Sequence, residues 1–215
     1  MAELADAVPK DRFEALFGRV REQVVAVGWD DFQKARPQDV SGICLFIWDE
    51  MVDRGVARKP FKIAPYTQND FKGVAGFLER ELKEKPVLEA YAVSYFNDVD
   101  PRVSFADVSL VRCWPNDLHI ADVEFSDNRM PLPTGSKVKG SINRGYRGLH
   151  VFGEFIGRLK RIATEKGVER ISLMVADREL YPVFKRHGFK LSTTKMAQIA
   201  FKGAGVGFPM ILEVK

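Results

Sequence analysis

Cysteine and histidine are scarce in this 215-residue chain, with two of the first and three of the second. Cys44 and Cys113 lie far apart, each inside an apolar segment. That excludes a disulfide framework or a cysteine zinc site and makes both thiols small buried hydrophobes. His119, His150 and His187 lack metal-ligand spacing, so no metal is expected. His119 and His187 read as surface or packing residues, and His150 as a filler at a helix start that a phosphate could touch. No apolar run approaches the ~20 residues of a membrane span. The N-terminal stretch carries Asp6, Lys10, Asp11 and Arg12 without an apolar run, so no signal peptide is expected. Charge of one sign is also lacking: 33 basic against 29 acidic residues leave a net +4. This falls short of the polybasic signature of a dedicated nucleic-acid binder but suits acidic ligands such as phosphates. There is no internal repeat and no low-complexity tract. The expectation is a soluble cytoplasmic protein, or one assembled into a particle if its role is structural.

What is present suits a globular core, with 46% apolar and 29% charged residues. Residues 10–28 have apolar positions at helical spacing (Phe13, Leu16, Phe17, Val20, Val24, Val27) and Gly28 as a stop. A second helix is expected over 39–55, where "ICLFIW" is apolar nearly all round and calls for burial on more than one side. From residue 59 the pattern changes. A short strand around Phe61 and Ile63 leads through Asn69 or Asp70 into a helix with Phe71, Val74, Phe77, Leu78 and Leu82 on one face. "LEAYAVSYF", "DVSLVRCW" and "LHIADVEFS" are rich in β-branched and aromatic residues and read as an antiparallel meander over 88–126, with Pro115-Asn116-Asp117 as a turn. A long loop over 127–147 carries five basic residues. Then come a helix from about 150, the strand "RISLMVA", a short helix stopped by Gly188, and two closing strands, "FKLSTTKMAQIAF" and "FPMILEV". Gly153 and Gly157 on the long helix predict close packing there, since each costs ~1 kcal/mol against Ala.

Three segments in this order, "FKIAPYTQNDFKGVAGFLE", "YRGLHVFGEFIGRL" and "DRELYPVFKRHGFKL", resemble the GNAT superfamily of acyl-CoA-dependent N-acyltransferases over residues 59–215. The resemblance implies an α/β (α+β) fold: a mixed, mostly antiparallel sheet flanked by helices, here with an N-terminal helical extension over 1–58. It also implies acetyl-CoA as co-substrate and a small-molecule or protein amine as acceptor. The family's phosphate loop runs Gln/Arg-x-x-Gly-x-Gly/Ala, so that helix N-terminal N–H groups bind the anion and glycine admits the backbone closely. Arg147 matches the first position and Gly148 an unrestricted one, but His150 and Phe152 stand where the small residues belong. Arg144 and Gly145, with Lys137 and Lys139, could complete a rearranged cradle. Otherwise these glycines make a turn in a solvated basic loop.

The family often places a Tyr five residues before the Phe of Gly-Phe, as the acid that protonates the leaving thiolate. That position is Phe184, which has no proton to give; Tyr181, one turn earlier, is the candidate substitute. For the base, Asp122 and Glu124 on "LHIADVEFS" point to one face and can raise each other's pKa. The backbone of the same strand, at Val123 and Phe125, would bond the pantetheine arm. Two functions stay open: an N-acetyltransferase, or a GNAT-fold protein that has lost catalysis and serves as a structural or binding component, for example in a phage virion. The 1–58 extension would then dock a protein partner or a second copy. Neither membrane nor nucleic acid is expected as a partner: the basic 137–161 segment lacks aromatic residues on a strand face.

Overall fold

A computed structural model describes residues 3–57, 71–97, 104–126, 151–176, 178–203 and 207–214. After a 3-10 turn at Leu4–Ala7, α1 (Lys10–Phe17) ends at Gly18, whose φ of 76° lies in the left-handed region that glycine tolerates. The chain then enters strand β1 (Val20–Val27). This corrects the expected single helix over 10–28. The helical spacing of Val20, Val24 and Val27 is incidental: Val24 and Val27 are 50% and 64% exposed, and β1 is held by pairing along β2. Tertiary pairing has overridden a local pattern. Helices α2 (Trp29–Ala35) and α3 (Pro37–Asp53) follow, with Pro37 at the start of α3, where a missing N–H costs nothing. The strand expected around Phe61 and its capping Asn69 or Asp70 lie outside the described residues. Helix α4 (Phe71–Leu82) stands where expected.

The meander is present as β2 (Val87–Asn97), β3 (Ser104–Cys113) and β4 (Asp117–Phe125). Then come α5 (Val151–Glu165), β5 (Arg170–Val175), α6 (Tyr181–Arg186), β6 (Lys190–Leu191), α7 (Lys195–Lys202) and β7 (Phe208–Glu213). The seven strands form one sheet in the order β1-β2-β3-β4-β5-β7-β6, antiparallel except for the β4–β5 pair. The fold is therefore the mixed, mostly antiparallel α/β sheet that was expected. The first closing strand is only two residues long, because Thr194 caps α7 by accepting a hydrogen bond from the Ala197 N–H.

The sheet is buried on both faces. One core joins Phe13, Tyr95, Phe105, Phe125 and Phe155, under α1 and α5. The other joins Phe32, Ile43, Ile47, Met51 and Leu78 to Ala92 and Val111, under α2, α3 and α4. Residues 3–57 thus supply an edge strand of the sheet and part of both cores, rather than helices alone. Gly153 lets His187 approach, since a Cβ there would stand 3.3 Å from the ring; Gly157 faces open space, so packing does not explain it. His119 is buried against Phe46 and bonded to Ser172 Oγ at 2.9 Å, and burial pushes its pKa down to about 4. Among the described residues no helix is long and apolar enough to cross a membrane.

Candidate functional site

The site grows from the only parallel contact in the sheet. At one end β4 and β5 are clamped. Arg170, opening β5, bonds Asp117, opening β4, at 3.1 Å and Glu50 of α3 at 2.6 Å. Both carboxylates are 2% exposed. From there the two strands pair at Leu118–Ile171, His119–Ser172 and Ile120–Leu173. At the next residue β4 bulges: Ile120 opposes Leu110 and Asp122 opposes Ser109, leaving Ala121 as an extra residue. A bulge bends its strand and steepens the twist. Pairing with β5 stops at Ile120, while β4 runs on to Phe125.

The opening is a cavity of about 220 Å³, lined by the β4 stretch Ile120–Val123, by Leu173 and Met174 of β5, and by α5 and α6 side chains that include Phe152 and Phe184. Phe152 packs edge-on against Phe184 at 5.6 Å and against His187 at 5.0 Å, so aromatic rings wall one side. A cavity with mostly apolar walls and a few polar groups suits a small organic ligand.

The bulge also decides which way the acids point. Phe125 joins the aromatic core under α5, so its side chain is committed to packing and only its backbone can serve a ligand. Asp122 and Glu124 fall on the opposite face, beneath α2 and α3. Glu124 lies directly across from Asp107 and Asp122 across from Ser109. Asp107 accepts hydrogen bonds from Ser94 Oγ and, at 3.2 Å, from Arg36 Nη2. Burial, with Asp107 and Asp122 adding to it, pushes the Glu124 carboxyl up to about 7. Burial also raises Asp122, with Arg36 opposing the shift and Asp107 reinforcing it. Asp39, in the first turn of α3, is raised to about 6 by burial and by Asp122. A carboxyl near 7 can take a proton and release it at neutral pH.

The structure thus brings Asp122 and Glu124 together at the mouth of the cleft, with Val123 beside them. Tyr181 is elsewhere: it packs on Phe201 at 5.3 Å and Phe208 at 6.1 Å, on the side of α6 away from the cleft. Phe184 holds the cleft-facing position instead. Arg144, Gly145, Arg147 and Gly148 lie outside the described residues. Sequence reasoning missed Asp107, Ser94, Arg36 and Asp39. The available signal was Asp107 and Ser109 at alternate positions inside an otherwise apolar strand.

No family model and no curated protein matches the chain. Solved structures similar to it are GNAT-family acetyltransferases. Nourseothricin acetyltransferase is 16% identical over 59% of this chain, with a TM-score of 0.40. The match spans 66% of that protein, just under two thirds of its length. A GNAT-family acetyltransferase from Staphylococcus aureus Mu50 is 8% identical over 92% of this chain and 100% of its own, with a TM-score of 0.41. The catalytic domain of Tetrahymena GCN5 histone acetyltransferase, solved with coenzyme A, is 11% identical over 92% of this chain and 93% of its own, with a TM-score of 0.38.

Proposed function

We propose that this chain transfers an acetyl group from acetyl-CoA to a primary amine, with Glu124 as the base. One observation carries the reading: a carboxyl held near neutrality by burial stands beside the point where β4 leaves β5. An alkylammonium is not a nucleophile until it loses a proton. Glu124 accepts that proton directly or through a water molecule. The neutral nitrogen then attacks the thioester carbonyl, the C–N bond forms, the C–S bond breaks, and the thiolate leaves and is protonated by solvent. Asp122 keeps Glu124 basic through like charge. The β4 backbone at Val123 and Phe125 borders the cleft where an extended pantetheine amide would lie. Arg144, Gly145, Arg147 and Gly148 supply the phosphate contacts in this reading. Free thiol release from acetyl-CoA in the presence of a primary amine tests it. Turnover that disappears in Glu124→Gln supports it, and turnover unaffected by that change removes Glu124 from the role.

A second reading is favoured by Phe152 and Phe184, which wall the cleft with rings and offer no acid for the thiolate. In it the chain keeps the fold without the chemistry and serves as a binding or structural component, for example of a virion. Absence of acetyl-CoA binding by calorimetry would favour this reading over the first.

A further inference from the structure

Next to Glu124 on the same sheet face is a group of polar atoms that base catalysis does not use. Asp39 and Asp122 are close enough that each opposes ionisation of the other, although α3 and β4 are distant in sequence. One Asp39 oxygen, Oδ2, is buried and without a hydrogen-bond partner. Ser109 is fully buried, emerges on this face directly across from Asp122, and its Oγ is also without a partner. Buried polar atoms are rarely left unpaired, so orphans at one place mark the seat of something else. The cation at hand, Arg36, is engaged with Asp107 at 3.2 Å, which leaves Asp39 and Asp122 in excess.

The missing group is therefore positive and a hydrogen-bond donor. Among the described residues no set of three His, Cys, Asp or Glu is placed to hold a metal ion. A primary ammonium carries one charge and three N–H donors, and it calls for three oxygen acceptors. Asp39, Asp122 and Ser109 provide them. Asp122 and Glu124 are two residues apart on one strand, about 6.7 Å, roughly the nitrogen-to-nitrogen reach of a four-carbon diamine. We propose that a cationic nitrogen seats among Asp39, Asp122 and Ser109, and that the acyl acceptor is a short aliphatic diamine or polyamine. One end is held there as ammonium while the other nitrogen meets Glu124. The acceptor role rests on the acetyl-transfer reading above; the ammonium seat does not.

Two measurements on the full chain separate them. The first is thiol release from acetyl-CoA with 1,4-diaminobutane against n-butylamine, which differ only in the second nitrogen. The expected kcat/KM for the diamine is about ten-fold higher, as for one charge-assisted contact, and Asp39→Asn brings the two amines within roughly two-fold. The second is thermal unfolding with each amine and no acetyl-CoA. The diamine raises the midpoint, butylamine does not, and both Asp39→Asn and Ser109→Ala reduce the shift. Ser109→Ala removes only a buried hydroxyl and covers the case in which Asp39→Asn misfolds. Equal turnover of the two amines would leave acetyl transfer standing and overturn the diamine seat. No turnover with either, but a diamine shift lost in the variants, would keep the seat and overturn the transfer reading. No diamine-specific shift and no preference would overturn the inference.

Discussion

Glu124→Gln separates a functional carboxylate from a structural one, because the two make opposite predictions for stability. Glutamine mimics the protonated acid in shape and hydrogen bonding. In the folded protein the carboxyl is raised from 4.5 to about 7, chiefly by burial. A raised folded pKa means that the favourable state is the protonated one. Its contribution is fully present below pH 4.5 and is lost as the pH rises through 7. At 1.36 kcal/mol for each pKa unit the shift is worth about 3 kcal/mol at pH 8. Partial solvent access brings this to about 2 kcal/mol. Glu124→Gln should therefore unfold some 4–8 °C above the parent at pH 8 for a chain of this size. The two proteins should converge near pH 4.5. Thermal unfolding by circular dichroism at both pH values, with thiol release at pH 8, provides the check. Higher stability with lost turnover is the signature of a base held at a cost to the fold. A variant less stable than its parent at pH 8 would refute the reasoning, since the carboxylate would then be stabilised by its surroundings and poorly suited to take a proton.

Other perturbations test the frame around the site. Arg170→Met leaves Glu50 and Asp117 buried without their cation; urea unfolding should show a loss of about 3–5 kcal/mol, and a loss below ~1 kcal/mol would mean that solvent already reaches the pair. Because burial raises Asp117 to about 6, part of that loss should be recovered at pH 5, where the carboxyl takes a proton. Phe152→Ala removes a ring from the cleft wall and should enlarge the thermal shift caused by millimolar acetyl-CoA; an unchanged shift would show that the ring does not limit entry. Deleting residues 1–57 removes β1, Phe13 and Phe32, so the remainder should show no cooperative unfolding transition in urea; a cooperative one would establish a separable extension and restore the division at residue 58.

The chemistry of β4 was legible in the sequence because strand alternation is a local rule. Asp122 and Glu124 must share a face whatever surrounds them. The meander was legible for the same reason: dense β-branched residues, a polar turn, then the same pattern again. Helix α3 was legible from its continuous apolar run. The strand at Val20–Val27 was not. Its valines satisfy helical and extended spacing alike, and the decision came from β2, some seventy residues away in sequence. The same holds for the end of the chain, where the cap at Thr194 turned an expected strand into α7.

Composition and local pattern by themselves determined the presence of a two-sided sheet, the positions of its three central strands, and one acidic face on β4. Each follows from side-chain spacing within a few residues. Tertiary structure alone decided that the bulge at Ala121 coincides with the last β4–β5 pair, that Arg36 and Asp39 descend on that face, and that Phe184 rather than Tyr181 turns toward the cleft. The physical reason is range. Desolvation and the charge of Asp107, which together give Glu124 its proton affinity, depend on groups that meet only when the sheet has closed and two helices cover it.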